Sequence, residues 1–268
     1  MVAPMSLMAS VDGALSAPEE AMIPVTDEGL IRGDGVFEVI RIYDGVPFAL
    51  AEHLERLERS GENLRLPVDT EAVRAEVWRV LAAAGGEAVN DQLRIMLTRG
   101  GRRIVMTEPL HETPAVARLM TVRYAPTRVL DGIKSLSYAA NMLAGRLARE
   151  QGYDDALLVS PHGRVLEAPT ASIFYVCDGA LCTPPLEDHI LASITRAIVI
   201  EVTGAQERVT PLEDLLAADE AFLASTVREV EPVGAIDNVE FPAPGPVSRR
   251  VAAEVGEEIQ RRLAAARR

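Results

Sequence analysis

Lysine is almost missing from this chain. Of its 27 Lys+Arg residues one is lysine, Lys134, and the other 26 (27 − 1) are arginine. Arginine can replace lysine in surface ion pairs and phosphate contacts. It cannot form an imine, and amine attack on an aldehyde needs a lysine or the N-terminus. Aromatic residues are scarce at 4%, so a core must come from Ala, Val, Leu and Ile, for which a hydrophobic content of 48% is ample. Positive charge is in deficit. A formal net charge of −13 argues against sequence-independent nucleic-acid binding, which needs a basic surface. Two cysteines, Cys177 and Cys182, and four scattered histidines without HxH or HxxxH spacing offer no metal cluster. No apolar run reaches the roughly 18 residues of a membrane span. The opening MVAPMSLMAS has neither a basic stretch nor a sustained apolar one. The expectation is a cytoplasmic protein with reduced thiols and no membrane partner. No Gly-x-x-x-x-Gly-Lys-Ser/Thr loop and no Gly-x-Ser-x-Gly elbow occurs, which excludes P-loop and elbow-type hydrolase chemistry.

What is present reads as alternating strands and helices. Val36–Tyr43 alternates and is rich in β-branched residues, and Asp44-Gly45 then begins a hairpin. Glu38 interrupts the apolar face of that strand, so its carboxylate needs a partner. Leu50, Leu54 and Leu57 form one helical stripe. That spacing alone puts Arg56 on a solvated face. A second helix is expected over 71–84 and strands over 92–99 and 116–124. A helix over 138–151, strands over 156–160, 165–170, 172–177 and 220–225, and a terminal helix over 247–267 follow. Residues 125–131 look like a connector. The predicted organisation is a small N-terminal domain (1–124), a linker (125–131) and a larger C-terminal domain (132–268).

Imine chemistry at Lys134 requires companions. Pyridoxal phosphate is the usual aldehyde, and its ring nitrogen needs a carboxylate opposite it. Its phosphate needs hydroxyls, helix N-termini and an arginine. Glu167, the helix start at Ser193-Ile194-Thr195, Ser225-Thr226 and Arg56 are of those types.

Four segments in order resemble the class IV (fold type IV) pyridoxal-phosphate enzymes. They are Arg32–Tyr43 with Gly-Asp-Gly-Val-Phe-Glu, Glu52-His53-Leu54-Glu55-Arg56-Leu57, Ile133–Ala148 around the lysine, and Asp155–Thr195. That family includes branched-chain and D-amino acid aminotransferases, (R)-selective amine transaminases and 4-amino-4-deoxychorismate lyases. The resemblance implies a mixed α/β fold with a small α/β domain and a larger, barrel-like β domain, usually as a homodimer. It implies that Lys134 forms the aldimine with the cofactor and carries the proton in the 1,3-shift. Glu167 would pair with the pyridinium nitrogen. Arg56, Ser193, Ile194, Thr195 and Thr226 would bind the phosphate, and Tyr138 the phenolic oxygen. Phe37, Val39, Arg94 and Arg103 would meet the substrate. The activity implied is transfer of an amino group between an amino acid or amine and a 2-oxo acid. The alternative is the lyase, which eliminates pyruvate to give 4-aminobenzoate. Phe37 with Arg94 suits a branched-chain enzyme, whereas Val39 replaces the Gly usual there and the Thr usual in the lyases.

Overall fold

The computed structural model describes residues 7–267. The opening residues 1–6, read above for a leader, lie outside them. The chain forms two compact units. The first takes the described residues up to His111, together with Ile133–Tyr138 and the end of the chain from Arg261. The second takes Glu112–Gly132 and Ala139–Gln260.

The first unit contains β1 (Ala9–Val11), β2 (Ala14–Ser16), α1 (Glu28–Arg32), β3 (Gly35–Tyr43), β4 (Val46–Pro47), α2 (Leu50–Leu64), α3 (Thr70–Ala84), β5 (Gln92–Thr98) and β6 (Arg103–Glu108). Its six strands pair in the order β2-β1-β6-β5-β3-β4, antiparallel throughout. Side chains alternate across a strand, and here the alternation sorts apolar from mixed. Val36, Ile40, Ile42, Leu93, Ile95, Leu97 and Val105 pack into one core with Leu50, Leu54 and Leu57 of α2 and Val73, Val77 and Val80 of α3. Phe37, Val39, Arg94 and Met96 occupy the other face, with Phe37 opposite Met96 and Val39 opposite Arg94. The expected hairpin after β3 forms with positive φ at both Asp44 (46°) and Gly45 (76°), the turn that follows strand twist. α3 starts where Asp69 accepts from the Ala72 N–H at 2.9 Å.

The second unit contains β7 (Ala117–Arg123), α4 (Ala139–Glu150), β8 (Asp155–Val159), β9 (Ser172–Cys177), β10 (Ala180–Thr183), α5 (Ile194–Thr203), β11 (Gln206–Glu207), α6 (Leu212–Leu216), β12 (Glu220–Ser225), β13 (Glu229–Ile236), β14 (Val239–Glu240) and α7 (Pro246–Ala266), whose last turns belong to the first unit. Its strands run β11-β10-β9-β12-β13-β7-β8, with β14 on β13. The pairs β10–β11, β13–β7 and β7–β8 are parallel. One core joins Leu119, Leu157, Ile173, Tyr175, Leu223 and Val233. Another packs Ala144 and Ala148 of α4 against Ala156, Leu158 and Leu166. A sheet covered on both faces tolerates near-continuous apolar strands, which is what Asp155–Val159 and Ser172–Cys177 are after their first residues.

The structure departs from expectation in several places. Residues 165–170 are not a strand. They hold single bridges, Val159 to Val165 and Ala168 to Ala171, because Pro169 lacks the N–H that a ladder needs. β6 and β13 were not anticipated. β7 lies in the second unit because it pairs with β8 and β13, although the expected small domain ran through residue 124. Lys134 lies in the first, because Ser135 bridges Val36 of β3, although it was expected beyond the linker.

Candidate active site

The sequence segment around Lys134 is stitched to β3. The Lys134 carbonyl accepts from the Phe37 N–H at 3.0 Å, and the Leu136 N–H donates to the Gly35 carbonyl at 2.9 Å. The Lys134 N–H donates to Ser60 Oγ at 3.2 Å. Gly35 permits this close approach: a Cβ there would meet the Leu97 carbonyl oxygen at 2.4 Å and a Leu136 methyl at 2.6 Å. Across an antiparallel bridge at Val36–Ser135, Lys134 falls opposite Phe37 and shares its face. Its Nζ lies 4.5 Å from the Phe37 ring centroid and 5.9 Å from that of Tyr138. Tyr138 meets Phe37 edge-on, with centroids 5.3 Å apart. The Arg94 guanidinium carbon is 5.8 Å from the same Phe37 ring. Lys134, Phe37, Tyr138, Val39 and Arg94 are therefore gathered on one side of the first unit's sheet.

Arg94 is not a lone cation. Its Nε donates to Glu108 Oε1 at 2.8 Å, and Gln92 Nε2 donates to Glu108 Oε2 at 3.0 Å. Glu108 was not singled out from the sequence; it lies across the β5–β6 pair, which sequence reading had not found.

Arg56 and Glu38 resolve each other. Glu38 is fully buried on the helix-covered face of β3, with Arg56 5% exposed above it. Arg56 Nε donates to Glu38 Oε1 at 2.8 Å and Nη2 to Oε2 at 2.6 Å, a forked pair with strong geometry. His53 Nδ1 lies 2.8 Å from Oε2. Burial alone would raise the Glu38 carboxyl, but the Arg56 guanidinium and the two hydrogen-bond donors hold it at about 2. Burial pushes the His53 imidazole down, against the pull of Glu38. His53 is thus neutral and, facing an ionised carboxylate, carries its proton on Nδ1. The solvated position expected for Arg56 from spacing alone is corrected: the buried face of α2 is wide enough to include His53, Arg56 and Ser60 beside the leucines.

Arg103, expected near substrate, stands elsewhere. It lies opposite Leu97 in the β5–β6 register, on the face covered by α3. There its Nε donates to Glu76 Oε2, which also anchors Ser10 and the Gly13 N–H through its other oxygen. The structure separates Arg103 from the Phe37–Arg94 face and gives it a role in packing β1 and α3. Arg102 pairs with Asp12 at 2.6 Å, and Arg32 with Glu28 at 2.8 Å on α1.

The second unit holds the other group. Glu167 is half-buried, and its Oε1 accepts from the Leu191 N–H at 3.2 Å. The Tyr124 phenol is pushed up by burial and then by the Glu167 charge, so it remains a hydroxyl donor near that carboxylate. Three residues beyond Leu191 a helix begins. Ser193 caps α5, accepting from the Arg196 N–H at 3.3 Å. Thr195 Oγ1 in its first turn lies 3.4 Å from Thr226 Oγ1 at the end of β12. Ser193, Ile194 and Thr195 thus open α5, and Thr226 stands beside Thr195.

The donor set fits pyridoxal phosphate. Paired hydroxyls at a helix start, where backbone N–H groups and the helix dipole favour an anion, suit its phosphate. A half-buried carboxylate fixed by a backbone N–H suits a protonated ring nitrogen. A primary amine on a segment hydrogen-bonded to β3 suits its aldehyde. Among the described residues no group of three or more His, Cys, Asp or Glu could hold a metal ion, and no helix is long and apolar enough to cross a membrane.

Comparison with known proteins places the chain in a family. The model of the family described as "Amino-transferase class IV" matches residues 35–236. A candidate branched-chain-amino-acid aminotransferase of Methanocaldococcus jannaschii is 35% identical over 252 residues, covering 85% of this chain and 87% of its own. The D-alanine aminotransferase of Listeria monocytogenes is 31% identical over 277 residues, covering 93% and 95%. Among solved structures, the branched-chain aminotransferase of Thermoproteus uzoniensis with norvaline superposes with a TM-score of 0.86 at 30% identity, over 95% of each chain.

Proposed function

The chain belongs to the class IV aminotransferases, transaminases that use pyridoxal 5'-phosphate, and we propose that Lys134 is its catalytic amine, acting on an amino acid with an apolar side chain and a 2-oxo acid. The observation that carries the assignment is the mount of the chain's only lysine on β3 beside Phe37 and Tyr138. When bound, the cofactor supplies an aldehyde and a ring that accepts the electron pair released at the substrate Cα. Lys134 Nζ, beside Phe37 and Tyr138, would be the group that takes and carries the substrate Cα proton. Glu167, held by the Leu191 N–H, keeps the ring nitrogen protonated. Thr195, Thr226, Ser193 and the Ile194 backbone bind the phosphate, and Arg56, fixed by Glu38, adds positive charge to that task. Tyr138 donates to the phenolic oxygen.

The substrate class follows from the composition of the sheet face. Phe37, Val39 and Met96 make it apolar around the catalytic amine, and Arg94, steadied by Glu108, offers a cationic group beside them. An apolar side chain with a single carboxylate matches that surface, in keeping with a relative solved with norvaline. In single-turnover half-reactions, leucine or norvaline of the preferred hand should convert the cofactor to its amine form at least about tenfold faster than aspartate. Equal rates for aspartate would reject the apolar assignment. Pyruvate released from aminodeoxychorismate with no 2-oxo acid present would reject the transaminase reading in favour of the lyase.

A homodimer is part of this reading. Leu143 and Leu147 lie one turn apart on α4 and are 49% and 40% exposed, an apolar strip that a second copy would cover. Sedimentation equilibrium should return twice the 28.9 kDa chain mass; a monomer at micromolar concentration would refute it. The two free thiols, with Cys182 buried, suit a reducing cytoplasmic setting.

A further inference from the structure

The turn that carries Thr226 backs onto a buried charge cluster that the mechanism above does not use. Residues 226–228 join β12 to β13, and the turn closes at Glu229 with φ 55°, a left-handed conformation for a side-chain-bearing residue. Arg228 anchors it. Its Nη2 donates to Asp155 Oδ2 at 2.6 Å and to Thr170 Oγ1 at 3.2 Å. Its Nη1 donates to Glu231 Oε2 at 2.8 Å, and its backbone N–H to Ser225 Oγ at 3.2 Å. Asp155 and Glu231 are 5% and 3% exposed. They sit on β8 and β13, which β7 separates in the sheet order, so one guanidinium ties two strands to the turn.

Two features distinguish this cluster from an ion pair that merely holds the unit together. Its cation belongs to the turn itself, two residues from Thr226. Its charge is also already spent on two carboxylates, so Arg228 is not itself an anion ligand. A buried cluster of this kind is weak evidence for stability; what it does here is join the turn to Asp155 and Glu231 on two strands. Thr226 Oγ1, in turn, is within 3.4 Å of Thr195 Oγ1 at the α5 start, and small displacements of a hydroxyl degrade a hydrogen bond steeply.

We propose that Arg228 is a positioning residue for the cofactor phosphate: by locking the turn to β8 and β13 it holds the Thr226 hydroxyl beside Thr195. This rests on the phosphate assignment of Thr226 made above, and the test separates the two. The full-length chain, dialysed free of cofactor, is titrated with pyridoxal 5'-phosphate and with pyridoxal, which lacks the phosphate. Arg228→Lys keeps the charge but loses the fork. It should raise Kd for the phosphorylated cofactor about tenfold, the worth of one charge-assisted hydrogen bond, and change Kd for pyridoxal less than about twofold. Thr226→Val should show the same selectivity, and the double variant should lose no more than the worse single variant. Should Arg228→Lys not fold, Glu231→Gln keeps an acceptor for Arg228 and should give a smaller loss, about threefold, of the same selectivity. Equal weakening of both ligands, no weakening, or additive losses in the double variant overturns the proposal. If Thr226→Val binds both ligands as the parent does, the phosphate assignment itself fails, and with it any action of Arg228 through Thr226.

Discussion

Lys134→Arg should abolish amino transfer, lowering the half-reaction rate by at least about 10⁴-fold, the upper end of what one general acid–base group supplies. The substitution keeps the positive charge and its contact with the Phe37 face, so folding and the thermal midpoint should stay near those of the parent. The loss is then chemical. A guanidinium neither forms the covalent link to the aldehyde nor gives up a proton near neutral pH. The chain offers an independent check. Lys134 is the only lysine, so borohydride treatment of the holoenzyme followed by peptide mass mapping should place the cofactor on that residue alone. Label on any other side chain, or a Lys134→Arg variant retaining more than about one-hundredth of the parent rate, would sink the assignment.

Glu38→Gln should be the most destabilising polar substitution in the first unit, costing about 3–5 kcal/mol, because it strands the buried Arg56 charge. It should also make stability less dependent on acid. The Glu38 carboxyl is held at about 2 against an ordinary 4.5. A depressed carboxyl contributes stability that is fully present above the unfolded value. It is lost as pH falls from 4.5 through about 2. For a fully buried group that difference corresponds to about 3 kcal/mol. Urea midpoints measured from pH 6 down to pH 2.5 should therefore fall more steeply for the parent than for the variant. Parallel curves, or a variant within about 1 kcal/mol of the parent at pH 6, would show that the Glu38–Arg56 pair is not what it is taken to be. The same variant should weaken the binding of pyridoxal phosphate, since the carboxylate fork that fixes the Arg56 guanidinium is lost.

Much of this was legible in the sequence for reasons that are local. The alternation of Val36–Tyr43 and the Asp44-Gly45 turn determine a strand and its hairpin without help from the rest of the chain. Ser193 before an apolar run marks a helix start by itself. A carboxylate on an apolar strand face, Glu38, announces that a partner must exist, though not which. What could not be read depends on registers between distant segments. The stripe Leu50, Leu54, Leu57 defines the centre of a buried face but not its width. Whether Arg56 lies inside it depends on where α2 crosses β3, and Glu38 decides that. Arg94 and Arg103 looked equivalent as substrate-side arginines. They fall on opposite faces of one sheet because the turn through Gly100–Arg102 puts Arg103 opposite Leu97. A one-residue change of register would reverse them. The irregular run 165–170 reads as a strand by composition. Its single bridges instead leave Glu167 on a bend, where the Leu191 N–H can reach its side chain.

The backbone of Lys134 is gripped on both sides, its carbonyl by the Phe37 N–H and its amide by Ser60. An anchored backbone leaves only the side-chain torsions to move. The reactive nitrogen is thus the tip of a four-methylene arm on a fixed mount, and it can visit only the arc that staggered rotamers allow. A proton lifted at one point of that arc can be set down only at another. The choice between stereochemical outcomes then falls to how the substrate is presented to the arc, while the arm itself stays the same for either hand.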